Sequence, residues 1–185
     1  MHGSSAMSAA IESMIKSEDW AGARRLIRAE LRRQPDSHWL LTRLGLTYYE
    51  QRRYAEALRY SKKALARAPN CPLVLWDYAG TLDQLGRHRE ALRVYARLVR
   101  RGVESLAEGE CGEGLRWARG LVADALYRQG LAYAAIGQRR RARAALECHL
   151  ALRGPGTRSI YPIREVRGEL RALAGAVGKV GPRAA

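Results

Sequence analysis

Tyr54 follows Trp20 by 34 residues, Ala57 follows Ala23 by the same step, and Pro69 follows Pro35. One step further Ala91 follows Ala57, with Val103 in the place of the proline. Near the end of the chain Gly130, Tyr133, Gly137, Ala142 and Leu146 keep the mutual spacing of Gly45, Tyr48, Arg52, Ala57 and Ser61, but lie 85 residues on, which is 34 + 34 + 17. A period of this length leaves few choices of structural unit, and the pattern inside it narrows them further. Leu41, Leu44, Gly45 and Tyr48 recur at i, i+3, i+4 and i+7 and so share one face of a helix. Tyr54, Ala57, Leu58, Ser61, Ala64 and Leu65 do the same for a second helix, and Pro69 forbids its continuation. Small residues at Gly45 and Ala57 let the two helices approach closely. Such a hairpin cannot cover its own apolar faces, so successive hairpins must stack.

These residues resemble the tetratricopeptide repeat, whose pattern is W-x2-L-G-x2-Y, then A-x3-F, then P over one period. The copy at 38–71 supplies Leu41, Leu44, Gly45, Tyr48, Ala57, Ala64 and Pro69, and the copy at 72–105 supplies Leu75, Leu82, Gly86, Ala91 and Tyr95. Further copies are read at about 4–37 and 123–156. The resemblance implies an all-α, right-handed solenoid of helix hairpins with a concave and a convex surface. A single domain over 4–178 is expected. It closes with a capping helix at 162–178, where Ile163, Val166, Leu170, Leu173 and Val177 form one stripe opposite Arg164, Arg167 and Arg171. A disordered tail is expected at 179–185.

The step of 51 between the copies at 72 and 123 marks an insertion of 17 residues, 106–122. Gly109, Gly112, Gly114 and Gly120 oppose regular helix, each costing about 1 kcal/mol against alanine in a helix interior. The reading is a loop over about 104–112, then a helix that starts near Leu115, two turns early, and projects from the edge of the solenoid. Either Trp117 packs this extension against the previous copy, or Glu108, Glu110 and Glu113 form a rim that meets a partner.

In the tetratricopeptide family the concave surface is lined by the first helix of each copy. Here that face implies Trp39, Thr42, Leu46, Tyr49 and Glu50, then Leu73, Trp76, Gly80, Asp83 and Gln84, then Asp124, Tyr127, Leu131 and Ala134. Aromatic side chains on such a face are binding hot spots, unless the chain's own terminal helices cover them. The family's lysine, arginine and asparagine clamp for a peptide carboxylate is not matched. Leu46 and Gly80 stand at the asparagine positions, and Thr42, Leu73 and Asp77 at the basic ones. The expected function is a non-catalytic scaffold or adaptor that holds a peptide or protein segment in an aromatic groove, with Trp39, Thr42, Leu46, Tyr49, Trp76, Asp83 and Tyr127 as its candidate lining.

The net charge of +15 raises a rival reading. Arg25, Arg59 and Arg93 recur at one repeat position of the second helices, and Lys63 and Arg97 at another, which lines a basic convex face suited to nucleic acid or an acidic protein. Of the 33 basic residues only four are lysine, a bias that a GC-rich genome produces without any ligand. No stacking aromatics are interleaved with these arginines, so a solvated surface is the preferred reading.

His2, His38, His88 and His149 are dispersed, and no nucleophile with a base at supporting spacing emerges, so no catalytic set, metal site or cofactor is expected. The adjacent Cys148 and His149 lack further ligands, and His149 occupies a packing position. Three cysteines at irregular spacing fit free thiols, the first ten residues lack the apolar stretch of a secretion signal, and no run reaches spanning length. A cytoplasmic protein without a membrane partner is expected; the sequence does not specify oligomeric state.

Overall fold

The computed structural model describes residues 5–154 and 156–175. Among these residues the regular structure is all helix: α1 (Ser5–Lys16), α2 (Trp20–Arg33), α3 (His38–Tyr49), α4 (Tyr54–Arg67), α5 (Pro72–Gln84), α6 (His88–Glu108), α7 (Leu115–Ala135), α8 (Arg139–Leu152) and α9 (Ile163–Gly175). The expected tail at 179–185 and Val177 lie outside the described residues. No described helix is long and apolar enough to cross a membrane.

Local chemistry sets the boundaries. The Asp19 carboxylate accepts the Gly22 amide at 2.8 Å and caps α2, while Ser37 caps α3 by accepting the Leu40 amide. Pro72 stands in the first turn of α5, where its missing N–H costs nothing. The turns after α1, α3, α5 and α7 each contain one residue at positive φ: Glu18, Arg52, Gly86 and Gly137. The first three are one period apart, and Gly137 is the residue aligned with Arg52. The meter therefore repeats a left-handed turn, and two of the four copies hold it without glycine.

The chain divides into two compact units, 1–87 and 88–185. In the first, Ile11, Ile27, Leu40, Leu44, Leu75 and Leu82 are almost wholly buried between the helices. Tyr48 on α3 stacks on Tyr60 of α4 with ring centres 5.4 Å apart, and the Arg24 and Arg53 guanidiniums lie over the Tyr48 ring at 5.0 and 4.8 Å. In the second, Tyr95, Leu98 and Leu106 of α6, Tyr127 of α7, Leu146 of α8 and Val166 of α9 are buried.

The insertion departs from expectation. Helix α6 does not stop near residue 104 but turns at Gly102 (φ 75, ψ 166) and continues helical to Glu108. Burial explains this, since Leu106 and Ala107 on the added turn are sequestered from solvent. The loop is confined to 109–114 and folds back tightly, with the Gly114 amide donating to the Ala107 carbonyl at 3.3 Å. Helix α7 starts at Leu115, as the sequence suggests, but it does not project. Ala118 and every residue from Gly120 to Tyr127 are buried. Trp117 is half-buried, and Glu108, Glu110 and Glu113 are exposed.

Helix α9 has its apolar stripe where the sequence puts it. Val166 is buried with Tyr127 and Leu146, Leu170 and Leu173 pack beside them, and Arg164, Arg167 and Arg171 face solvent.

Candidate binding groove

In the first unit, helix α3 packs against α2, α4 and α5. Trp39, Leu46 and Tyr49 of α3 and Trp76 and Asp83 of α5 are all half-buried, while Glu50 is exposed. Each ring therefore keeps surface in contact with water after the helices have packed. Tyr49 meets Tyr54 edge to face at 5.4 Å. Thr42 is a correction to the expected lining, being only 4 % exposed. A short side chain on a helix flanked by others is submerged, and its hydroxyl has no hydrogen-bond partner among the described residues.

Two charged residues absent from the expected lining organise this face. Arg43 of α3 donates to the Glu12 carboxylate of α1 at 2.5 Å, and its guanidinium lies 5.5 Å from the centre of the Trp39 ring. Asp77 of α5 stands one period after Arg43. Burial pushes the Asp77 carboxyl up to about 7, Arg43 opposing this and Glu50 adding to it. Opposite charges at one repeat position on neighbouring helices were the sequence signal for this pair.

The Asp77 shift has a testable sign. The folded chain holds the proton to higher pH than the unfolded chain, whose carboxyl has its ordinary value of 3.8. Stability contributed at this site therefore declines as pH rises from 3.8 towards about 7 and is level above it. The Asp77→Asn variant is expected to match wild type near about pH 4 and to exceed it by about 1 kcal/mol near about pH 8, the partial exposure of Asp77 screening the remainder. Urea melts across this range, taken as the difference between variant and wild type, check it; a difference that shrinks with rising pH contradicts the sign.

In the second unit two residues of the expected last-copy lining, Asp124 and Tyr127, are buried, whereas Leu131 and Ala134 are half-buried. Tyr127 is 1 % exposed. Its ring stacks on Tyr161 at 4.1 Å and lies 5.7 Å from the His149 ring, and its hydroxyl donates to the Glu165 carboxylate. Burial, then that hydrogen bond, raises the phenol above its usual range. Asp124 is also buried, accepting the Ser159 hydroxyl and, at 3.3 Å, the Ile160 amide. Burial raises its carboxyl, against those two hydrogen bonds. The physical reason is one strap: the segment joining α8 to α9 lies along α7, held by Arg116 to the Gly156 carbonyl at 3.1 Å and by Arg153 to the Tyr161 carbonyl at 2.8 Å. This chain fills that part of its own first-helix face.

His149 is wholly buried, its Nδ1 hydrogen-bonded to the Ala123 carbonyl at 2.7 Å, whereas Cys148 is exposed. Adjacent in sequence, they point apart, and burial lowers the imidazole's basicity despite the Ala123 contact.

The expected convex cations are placed as follows. In the first unit Arg25, Arg59 and Lys63 are exposed, with Arg59 donating to the Tyr60 hydroxyl at 3.0 Å. In the second, Arg93 is exposed beside Glu90 at 4.0 Å and Arg97 is half-buried.

Sequence models described as tetratricopeptide repeat match residues 12–60, 48–108 and 124–147. The chain belongs to the tetratricopeptide repeat family. Its fold, an all-α solenoid, is similar to that of MamA 41-end from Desulfovibrio magneticus RS-1, with a TM-score of 0.66 at 17% identity over 94% of this chain and 90% of that one. BtubC (BKLC) from P. vanneervenii gives a TM-score of 0.73 at 18% identity over 93% and 72%. The apo form of RapI gives 0.74 at 13% identity over 91% and 61%. At these identities the likeness is one of fold. No curated protein matches the sequence.

Proposed function

We propose that this tetratricopeptide repeat protein is a non-catalytic protein-interaction scaffold, and that the first-helix face of its first unit receives a segment of a partner protein. The observation that carries the reading is the pair Trp39 and Trp76, both half-buried on the neighbouring helices α3 and α5. A partly covered indole already has its orientation fixed, so a partner gains its remaining area at small entropic cost. Leu46 and Tyr49 extend the apolar surface, while Glu50 and Asp83 supply acid beside it. A segment with apolar anchors and a basic side chain fits this chemistry, and family membership supports a protein partner. The face in the second unit is not part of the proposal, because the strap covers Asp124 and Tyr127 there.

The test uses wild type and a Trp39→Ala/Trp76→Ala variant as baits in native cell extract, with and without nuclease. Loss of the captured partner by roughly tenfold or more in the variant, at unchanged helicity, is expected. Equal capture by both baits argues against the face, and capture abolished by nuclease favours the basic surface instead.

A further inference from the structure

Elsewhere in the first unit, between α2 and α4 and over Leu41 and Leu44 of α3, the chain forms an open cleft of about 460 Å³. Arg28, Arg32, Lys63 and Arg67 line it, over a floor that includes Leu44 and Tyr60. Their pairing is unequal. Arg67 has the Asp36 carboxylate at 2.7 Å. Arg28 donates to the Tyr48 hydroxyl at 2.7 Å, and among the described residues no carboxylate pairs with Arg28, Arg32 or Lys63. Three cations thus line one concavity with no carboxylate among the described residues to neutralise them.

The Tyr60 phenol on the cleft floor senses Arg28 and, from beside the cleft, Arg59. Burial opposes its ionisation, yet hydrogen bonds from Arg59 and Arg28, with their charge, bring it below the usual phenol range. The Lys63 head group lies 5.8 Å from the centre of the Tyr60 ring, within cation–π range.

We propose that this cleft is an oxyanion site that takes a phosphomonoester carried on an aromatic or aliphatic stem. A single carboxylate brings one charge and two acceptor atoms, whereas a phosphomonoester brings nearly two charges and three acceptors, which matches a site with three cations that no carboxylate pairs. Arginine forks suit tetrahedral oxyanions, and the lysine adds a point charge. The apolar floor at Leu31, Leu41 and Leu44 gives the stem somewhere to lie. The site lies on other helix faces than the proposed groove and does not depend on it.

Calorimetric titration with phenyl phosphate at about 0.15 M salt, where long-range attraction is screened, tests the proposal. Saturable binding at one site is expected for wild type, with phenol not binding. Arg32→Gln/Lys63→Gln, which removes no internal ion pair, is expected to weaken it at least tenfold, and Arg25→Gln, outside the cleft lining, to leave it unchanged. A tyrosine-phosphorylated peptide that binds more tightly than phenyl phosphate identifies a modified protein as the source; equal affinity identifies a small phosphorylated molecule. Failure of phenyl phosphate to saturate, equal weakening by the two variants, or oligonucleotide binding that outcompetes it with or without a terminal phosphate overturns the proposal.

Discussion

Replacing Tyr127 with alanine is expected to destabilise the second unit by about 4 kcal/mol, the cost of truncating a fully buried aromatic and leaving a cavity. The ring is shared by three elements: Leu146 on α8, Val166 on α9 and Tyr161 on the strap all meet it. Its removal therefore releases the strap and α9 together. Tyr127→Phe keeps the ring and loses only the hydroxyl's bond to the exposed Glu165, so about 1 kcal/mol is expected. Hydrogen exchange resolves this better than a global melt, because repeat arrays do not always unfold as one step. Amides of α9 should lose protection in Tyr127→Ala and keep most of it in Tyr127→Phe. A loss below about 1 kcal/mol for Tyr127→Ala would mean that the ring is accessible, and would restore it as a groove residue.

The second large effect comes from two glycines at one repeat position. A methyl group placed on Gly130 meets the Leu146 side chain at 2.6 Å and the Ala142 carbonyl at 3.3 Å, while one on Gly45 meets nothing nearer than 3.6 Å. Leu146 cannot yield, because Tyr127 and Val166 hold it in the core. Gly130→Ala is therefore expected to destabilise by about 2 kcal/mol through overpacking. Gly45→Ala is expected to be neutral or to stabilise by up to about 1 kcal/mol, since alanine is the better helix former and fits. Chemical denaturation of the two variants checks the contrast; equal effects would show that the α7 and α8 backbones separate freely.

These glycines show how far the sequence reaches. It marks both positions as small and places them where paired helices meet. It does not tell that one contact is tight and the other ordinary, because that depends on the length and rotamer of a residue on the facing helix. The candidate site behaves similarly. Thr42, Trp76 and Tyr127 occupy one repeat position, since 76 − 42 is 34 and 127 − 76 is 51. Yet Thr42 and Tyr127 are buried and Trp76 is half-buried. Arg43 and Asp77 were visible as opposite charges one period apart, but the raised Asp77 carboxyl depends on burial.

What the sequence alone determined is the helical pattern: helices rather than strands, hairpins at a repeat of 34 residues with glycine at the turns Gly86 and Gly137, and the apolar stripe of α9. These follow from spacing and local conformational preference, which act within a period and need no distant partner. Tertiary structure alone decided what covers what: the strap on Asp124 and Tyr127, the second course of α6 beyond Gly102, and the cleft between α2 and α4. Each arises where segments far apart in the chain, some of them outside the meter, compete with water for the same surface, and that competition leaves no periodic trace.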